Sequence, residues 1–172
     1  MMMWMERGGP VMWPLLVLSL VAGTLIVERL LFWTRERRRP AREVVQRFFA
    51  SHADALVAAR ELDPELPVRA EERRLERGMA VLDTVITAAP LLGILGTVLG
   101  IIDSFELLSA RGSTDPLAAT GGVAQALITT ASGLVIALCV IFAHNYFRTR
   151  IRDRLDEVEV ELRRRRSAEQ LG

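Results

Sequence analysis

Three long stretches without a formal charge constrain this chain more than any other feature of its sequence. Gly8 to Val27 carries none over 20 residues, Thr84 to Ile102 none over 19, and Pro116 to Phe147 none over 32. An α-helix needs about 20 apolar residues to cross the hydrocarbon core of a bilayer. Backbone inside lipid must also satisfy its own hydrogen bonds, and a helix does so within one segment. The sequence therefore predicts an all-α membrane protein with three transmembrane helices and no strands. The first stretch exceeds the usual signal-peptide core of about 7–15 residues and shows no small-x-small cleavage site. It is expected to be a retained anchor.

The net charge of +1 conceals a strong asymmetry. Every basic residue is Arg: 11 of the 22 lie between Thr34 and Asp83 and 8 follow Phe147. Arg7 alone precedes the first stretch, and Arg111 alone separates the second from the third. Basic residues favour the cytoplasmic side. The N-terminus is thus expected outside and the C-terminus inside, with the helices extended into the cytoplasm. The expected order is a first transmembrane helix over 8–33, a cytoplasmic helical loop over 34–83, and a second transmembrane helix over 84–109. A third covers 116–147, and a cytoplasmic C-terminal helix covers 148–172. Trp4, Trp13 and Trp33 bracket the first helix, as interfacial aromatics do. Most of the Arg residues alternate with acids, as in Glu71-Glu72-Arg73-Arg74-Leu75-Glu76-Arg77. Such mixing marks a solvated helix with i,i+4 ion pairs, so no nucleic-acid partner is expected. The purer run Arg35-Glu36-Arg37-Arg38-Arg39 abuts the membrane and suits anionic lipid heads.

Within the loop, Val45, Phe48, Phe49, His52 and Leu56 recur at helical spacing. Asp63-Pro64-Glu65-Leu66-Pro67 breaks that helix. A second loop helix resumes near Arg69, with Leu75, Met79 and Leu82 on its apolar stripe, and is expected to run straight into the second span. Ile151, Leu155, Val158 and Leu162 form a coiled-coil-like stripe that needs a partner: the loop helices or a neighbouring subunit. About 50 loop residues and a tail are too few for an independent enzymatic domain. No Ser-His-Asp arrangement, phosphate loop or metal cluster occurs in the sequence. The chain reads as a non-enzyme without cofactor or metal. Cys139, alone and inside the third span, reads as a packing residue.

Two apolar segments hold a hydroxyl among small residues. In the second span Ala89, Gly93, Gly96 or Thr97, and Gly100 share one helical face; in the third, Ala126, Thr130, Gly133 and Ala137 do. Such stripes let helices approach closely, as in the G-x-x-x-G pattern of Gly96 and Gly100. Threonine can also bond back to its own helix. The alternative is a hydrated path, because a hydroxyl both donates and accepts hydrogen bonds. A hydroxyl does not titrate near neutral pH, and the middle of all three spans holds no acid or His. Glu28, Asp83, Asp103, Glu106 and His144 all lie towards the ends. A proton path here would need its titrating group from another chain. Pro90 removes a backbone donor one turn inside the second span and is expected to bend it. Two readings stay open: a proton path, or a structural scaffold whose small-residue faces only pack helices.

The segment Ala89-Pro-Leu-Leu-Gly-Ile-Leu-Gly-Thr-Val-Leu-Gly-Ile-Ile-Asp-Ser-Phe105 resembles the second-span signature of the MotA/TolQ/ExbB proton-channel family. Gln125-Ala-Leu-Ile-Thr-Thr-Ala-Ser-Gly-Leu134, followed by Asn145-Tyr146, resembles the third-span signature. The three-span, N-out arrangement is closest to ExbB and TolQ. The resemblance implies a homopentameric stator subunit in the bacterial inner membrane, driven by the proton motive force. Its second and third helices would line a pore around a dimer of ExbD- or TolR-like single-span subunits, each bringing one transmembrane aspartate. By motif position Thr97 and Thr130 match the pore threonines. Gly93, Gly96, Gly100, Gln125, Ala126 and Gly133 would share the pore face. Gln125 stands where several members carry Glu.

Overall fold

A computed structural model describes residues 9–36, 39–51, 66–111 and 116–170. Five helices follow one another: α1 (Met12–Glu36), α2 (Ala41–Ser51), α3 (Leu66–Leu75), α4 (Met79–Arg111) and α5 (Pro116–Gln170). The described residues contain no strand. α1, α4 and α5 are each long and apolar enough to cross a membrane. His52, Leu56, the Asp63–Glu65 part of the expected helix break, Trp4 and residues 112–115 lie outside the described residues.

The chain divides into two compact units: Met1–Ile26 with Val81–His144, and Val27–Ala80 with Asn145–Gly172. In the first, α4 and α5 run antiparallel along a seam of small residues. Leu82, Val85, Ala89, Gly93, Gly96, Gly100 and Ser104 are buried on α4; Ala126, Thr129, Gly133, Ala137, Val140 and His144 are buried on α5. These positions recur every three or four residues, one stripe per helix. The rest of each helix stays apolar and uncovered, with Leu91, Phe105, Leu134 and Phe142 each more than half exposed. A soluble protein rarely exposes so much contiguous apolar surface.

In the second unit, Val45 of α2 packs against Val158 and Leu162 of α5, with Ala41, Val44, Phe49 and Val68 around them. The C-terminal stripe therefore finds its partner on the loop helices. A charged cluster stands beside this core. Arg74 bridges Glu36 at 2.7 Å and Glu71 at 2.9 Å, and Glu36 is almost fully buried. Burial lowers the Arg74 pKa, but its hydrogen bond to Glu36 and the charges of Glu71 and Glu36 outweigh this, so the net shift is upward. Arg29 donates at 2.9 Å to the carbonyl of Leu75, one of the four orphan acceptors at the end of α3. Both guanidinium groups lie over the Phe32 ring, at 5.6 and 5.4 Å.

One sequence expectation changes. The loop helix does not run unbroken into the second span. α3 stops at Leu75, and Gly78 takes φ +79° before α4 begins at Met79. Glycine adopts that left-handed conformation without a Cβ clash, so it ends a helix where the apolar stripe by itself would continue. Trp33 is buried, and its Nε1 has no hydrogen-bond partner, whereas Trp13 is well exposed.

Candidate functional site

The seam is tight because its glycines leave no room for anything larger. A Cβ on Gly133 would collide with the carbonyl oxygen of Ala89 and stand 3.1 Å from Gly93 Cα. A Cβ on Gly96 would lie 2.9 Å from Thr129 Cβ, and one on Gly100 2.9 Å from Ala126 Cβ. Close backbone approach of this kind is how apolar helices associate when lipid offers no hydrophobic driving force. Of the residues expected on a pore face, Gly93, Gly96, Gly100, Ala126 and Gly133 are buried between α4 and α5 in the single chain. They set the distance between the helices.

That distance brings Thr97 and Thr130 together. Their hydroxyl oxygens are 3.2 Å apart, and both residues are half-buried. Thr97 Oγ1 donates to the Ile94 carbonyl at 2.6 Å on its own helix. Thr130 Oγ1 instead reaches across the seam to the Gly93 carbonyl at 2.8 Å. Each hydroxyl owns one proton and two lone pairs. When both protons go to carbonyls, the facing oxygens hold only lone pairs towards one another. The pair then accepts a hydrogen bond from an incoming donor, or gives up one carbonyl bond to link the two oxygens. Two protons serving three acceptors make a switchable site built from uncharged groups.

The stripe on α5 differs from the expected one by a single residue. Thr129, not Thr130, is fully buried, and it donates to the Gln125 carbonyl at 3.0 Å. Spacings of three and four from Ala126 fit either threonine, so periodicity alone could not choose. The Gln125 side-chain amide lies against Gly9, just before α1. Five residues correspond to about 140° of helix rotation, which turns it away from the face of Thr130. Pro90 sits inside α4 without ending it. A second polar contact joins the same two helices: His144 Nε2 lies 3.0 Å from Asp83 Oδ1. The sequence marked both residues as lying near span ends and gave no sign that they meet. Among the described residues no cluster of His, Cys, Asp and Glu could hold a metal ion.

Residues 37–160 match the model of the MotA/TolQ/ExbB proton channel family. The chain belongs to that family. It is 33% identical, over 83% of its length and 82% of the relative's, to biopolymer transport protein ExbB-like 3 of Synechocystis sp.. It is 44% identical to the biopolymer transport protein ExbB of Xanthomonas campestris pv. campestris, over 46% of this chain and 32% of that protein. It is 39% identical to the Tol-Pal system protein TolQ of Pseudomonas aeruginosa, over 46% of this chain and 35% of that protein. With three helices able to cross a membrane, this member of the MotA/TolQ/ExbB family is a multi-pass membrane protein.

Proposed function

We infer that the chain is the pore-forming stator subunit of a motor driven by the proton motive force. The observation that carries this is the Thr97–Thr130 pair: two hydroxyls from neighbouring helices, their protons drawn to backbone carbonyls, with acceptor lone pairs left over. Such a site receives a protonated acid or a water, and it holds no acid of its own. In this reading the acid is a transmembrane aspartate on an ExbD- or TolR-like single-span subunit. Two such subunits sit inside a homopentamer, whose inner wall consists of α4 and α5. The seam glycines and alanines hold the hydroxyls at working distance, and Pro90 shapes the wall. The complex sits in the bacterial inner membrane with its N-terminus outside, so residues 34–83 and 148–172 face the cytoplasm. Proton flow turns the inner dimer and delivers force to a partner reaching into the periplasm. The exposed apolar faces of α1, α4 and α5 meet lipid and neighbouring copies.

Thr97→Val and Thr130→Val test the reading, because valine keeps the shape and removes the hydroxyl. Expected are normal expression and normal oligomeric mass, with proton uptake into liposomes carrying the purified complex lost. Wild-type uptake in both variants refutes the assignment and leaves the scaffold reading, in which the same faces only pack helices.

A further inference from the structure

The Asp83–His144 contact repeats, at the other end of the α4–α5 seam, the arrangement of the two threonines. Asp83 precedes Thr97 by fourteen residues on α4, and His144 follows Thr130 by fourteen on α5. Four turns of helix take about 14.4 residues, so each pair falls on nearly the same faces, about 21 Å apart along the axis. The two contacts differ in chemistry. The hydroxyl pair offers only neutral donors and acceptors; this pair sets an imidazole, with two ring nitrogens that can each carry a proton, against a carboxylate. They also differ in access: the His144 side chain is 10% exposed and that of Asp83 63%. A buried imidazole therefore contacts an exposed carboxylate.

Other titratable groups in this unit stand apart. The described part of α1 up to Ile26 carries none, and α5 up to His144 adds only Cys139. Asp103, Glu106 and Arg111 lie twenty or more residues along α4 from Asp83. The nearest charges in sequence are Arg77, six residues before Asp83, and Arg148, one turn beyond His144. Asp83's own backbone carbonyl accepts from Thr87, at 3.2 Å.

We propose that Asp83 and His144 form a proton-release station serving the same helix faces as the threonine pair. It rests on the proton-channel reading above. An excess proton arriving through the channel and relayed by water on those faces bonds to the Nδ1 lone pair of the neutral imidazole, leaving the relaying water neutral. The N–H bond at Nε2 breaks as an O–H bond forms at Asp83 Oδ1, and the carboxylic acid then releases that proton to bulk water. The imidazole, again neutral, regains its first tautomer by exchange with water. One proton enters and one leaves, and no other reactant is consumed.

The test uses the complex purified from its native membrane through a tag on this chain and placed in liposomes loaded with pyranine. A potassium diffusion potential drives uptake. His144→Gln keeps an amide donor for Asp83 but cannot take up one proton and pass on another; Asp83→Asn changes only an exposed group and should leave assembly untouched. Each is expected to cut flux by about tenfold or more at pH 7, in the range of general acid–base effects. Added imidazole should restore His144→Gln, and Asp83→Glu should restore what Asp83→Asn loses. Thr97→Val should abolish flux without rescue by imidazole. If both His144→Gln and Asp83→Asn conduct with the wild-type pH profile while Thr97→Val does not, the station is overturned and the channel stands. If flux falls but neither imidazole nor Asp83→Glu restores it, the pair is a structural clamp and the station is overturned. Absence of flux in the unsubstituted complex overturns the channel reading and this inference together.

Discussion

Replacing Gly133 by alanine should pull apart the seam on which the threonine pair depends. The new methyl would meet backbone on the opposite helix: the Ala89 carbonyl oxygen, then Gly93 Cα at 3.1 Å and Ala89 C at 3.3 Å. None of these is the flexible end of a side chain, so the helices themselves must move. Restoring ordinary contact requires about 1 Å of local separation. Three residues away, the Thr130–Gly93 bond of 2.8 Å and the Thr97–Thr130 contact of 3.2 Å would stretch beyond hydrogen-bonding range. Alanine gains about 1 kcal/mol of helix propensity over glycine. Overpacking costs about 1–3 kcal/mol, with more where backbone must shift. The expected balance is a net loss of up to about 2 kcal/mol from these two effects, so Gly133→Ala should fall about 1–3 kcal/mol below a Gly→Ala change that only gains propensity. Gly23→Ala is the control, because a Cβ there meets nothing within 4 Å. It should gain up to the propensity difference. Helicity followed during titration of detergent-solubilised protein with sodium dodecyl sulfate ranks the variants. Gly133→Ala as stable as Gly23→Ala would refute the claim that backbone contact, and not side-chain interdigitation, sets the seam.

Arg74→Ala should cost about 2–3 kcal/mol in the same titration, because it strands the buried Glu36 carboxylate, with a discount for the third of Arg74 that is open to solvent. Arg163→Ala, which breaks an exposed i,i+4 pair with Glu159, should change stability by less than about 0.5 kcal/mol. Arg74→Lys should recover little, since one ammonium cannot reproduce the guanidinium fork that spans Glu36 and Glu71. Trp33→Phe removes a buried donor without an acceptor, so the loss of apolar area should be offset by about 1 kcal/mol or more. A drop of several kcal/mol in that variant would mean that Nε1 has a partner in the assembled protein.

The sequence by itself determined the class of this molecule. Three charge-free runs, each near or above the length of a membrane-crossing helix, left helices as the available structure, because lipid offers backbone no other hydrogen-bond partner. The second- and third-span motifs were legible for the same local reason: small residues at spacings of three and four must share a face. Periodicity also picked out many of the buried positions, from Ala89 and Gly93 to Val158 and Leu162. What it could not supply was rotation and partnership. A spacing of three or four fits both Thr129 and Thr130, and only packing against Gly96 decides which is buried. Gly78 looked compatible with a continuing helix until its φ ended one. Asp83 and His144, 61 residues apart, carried no mutual signal. Their meeting, like that of Thr97 and Thr130, depends on how two antiparallel helices register. That register is fixed by contacts distributed along the whole seam, and no single segment encodes it.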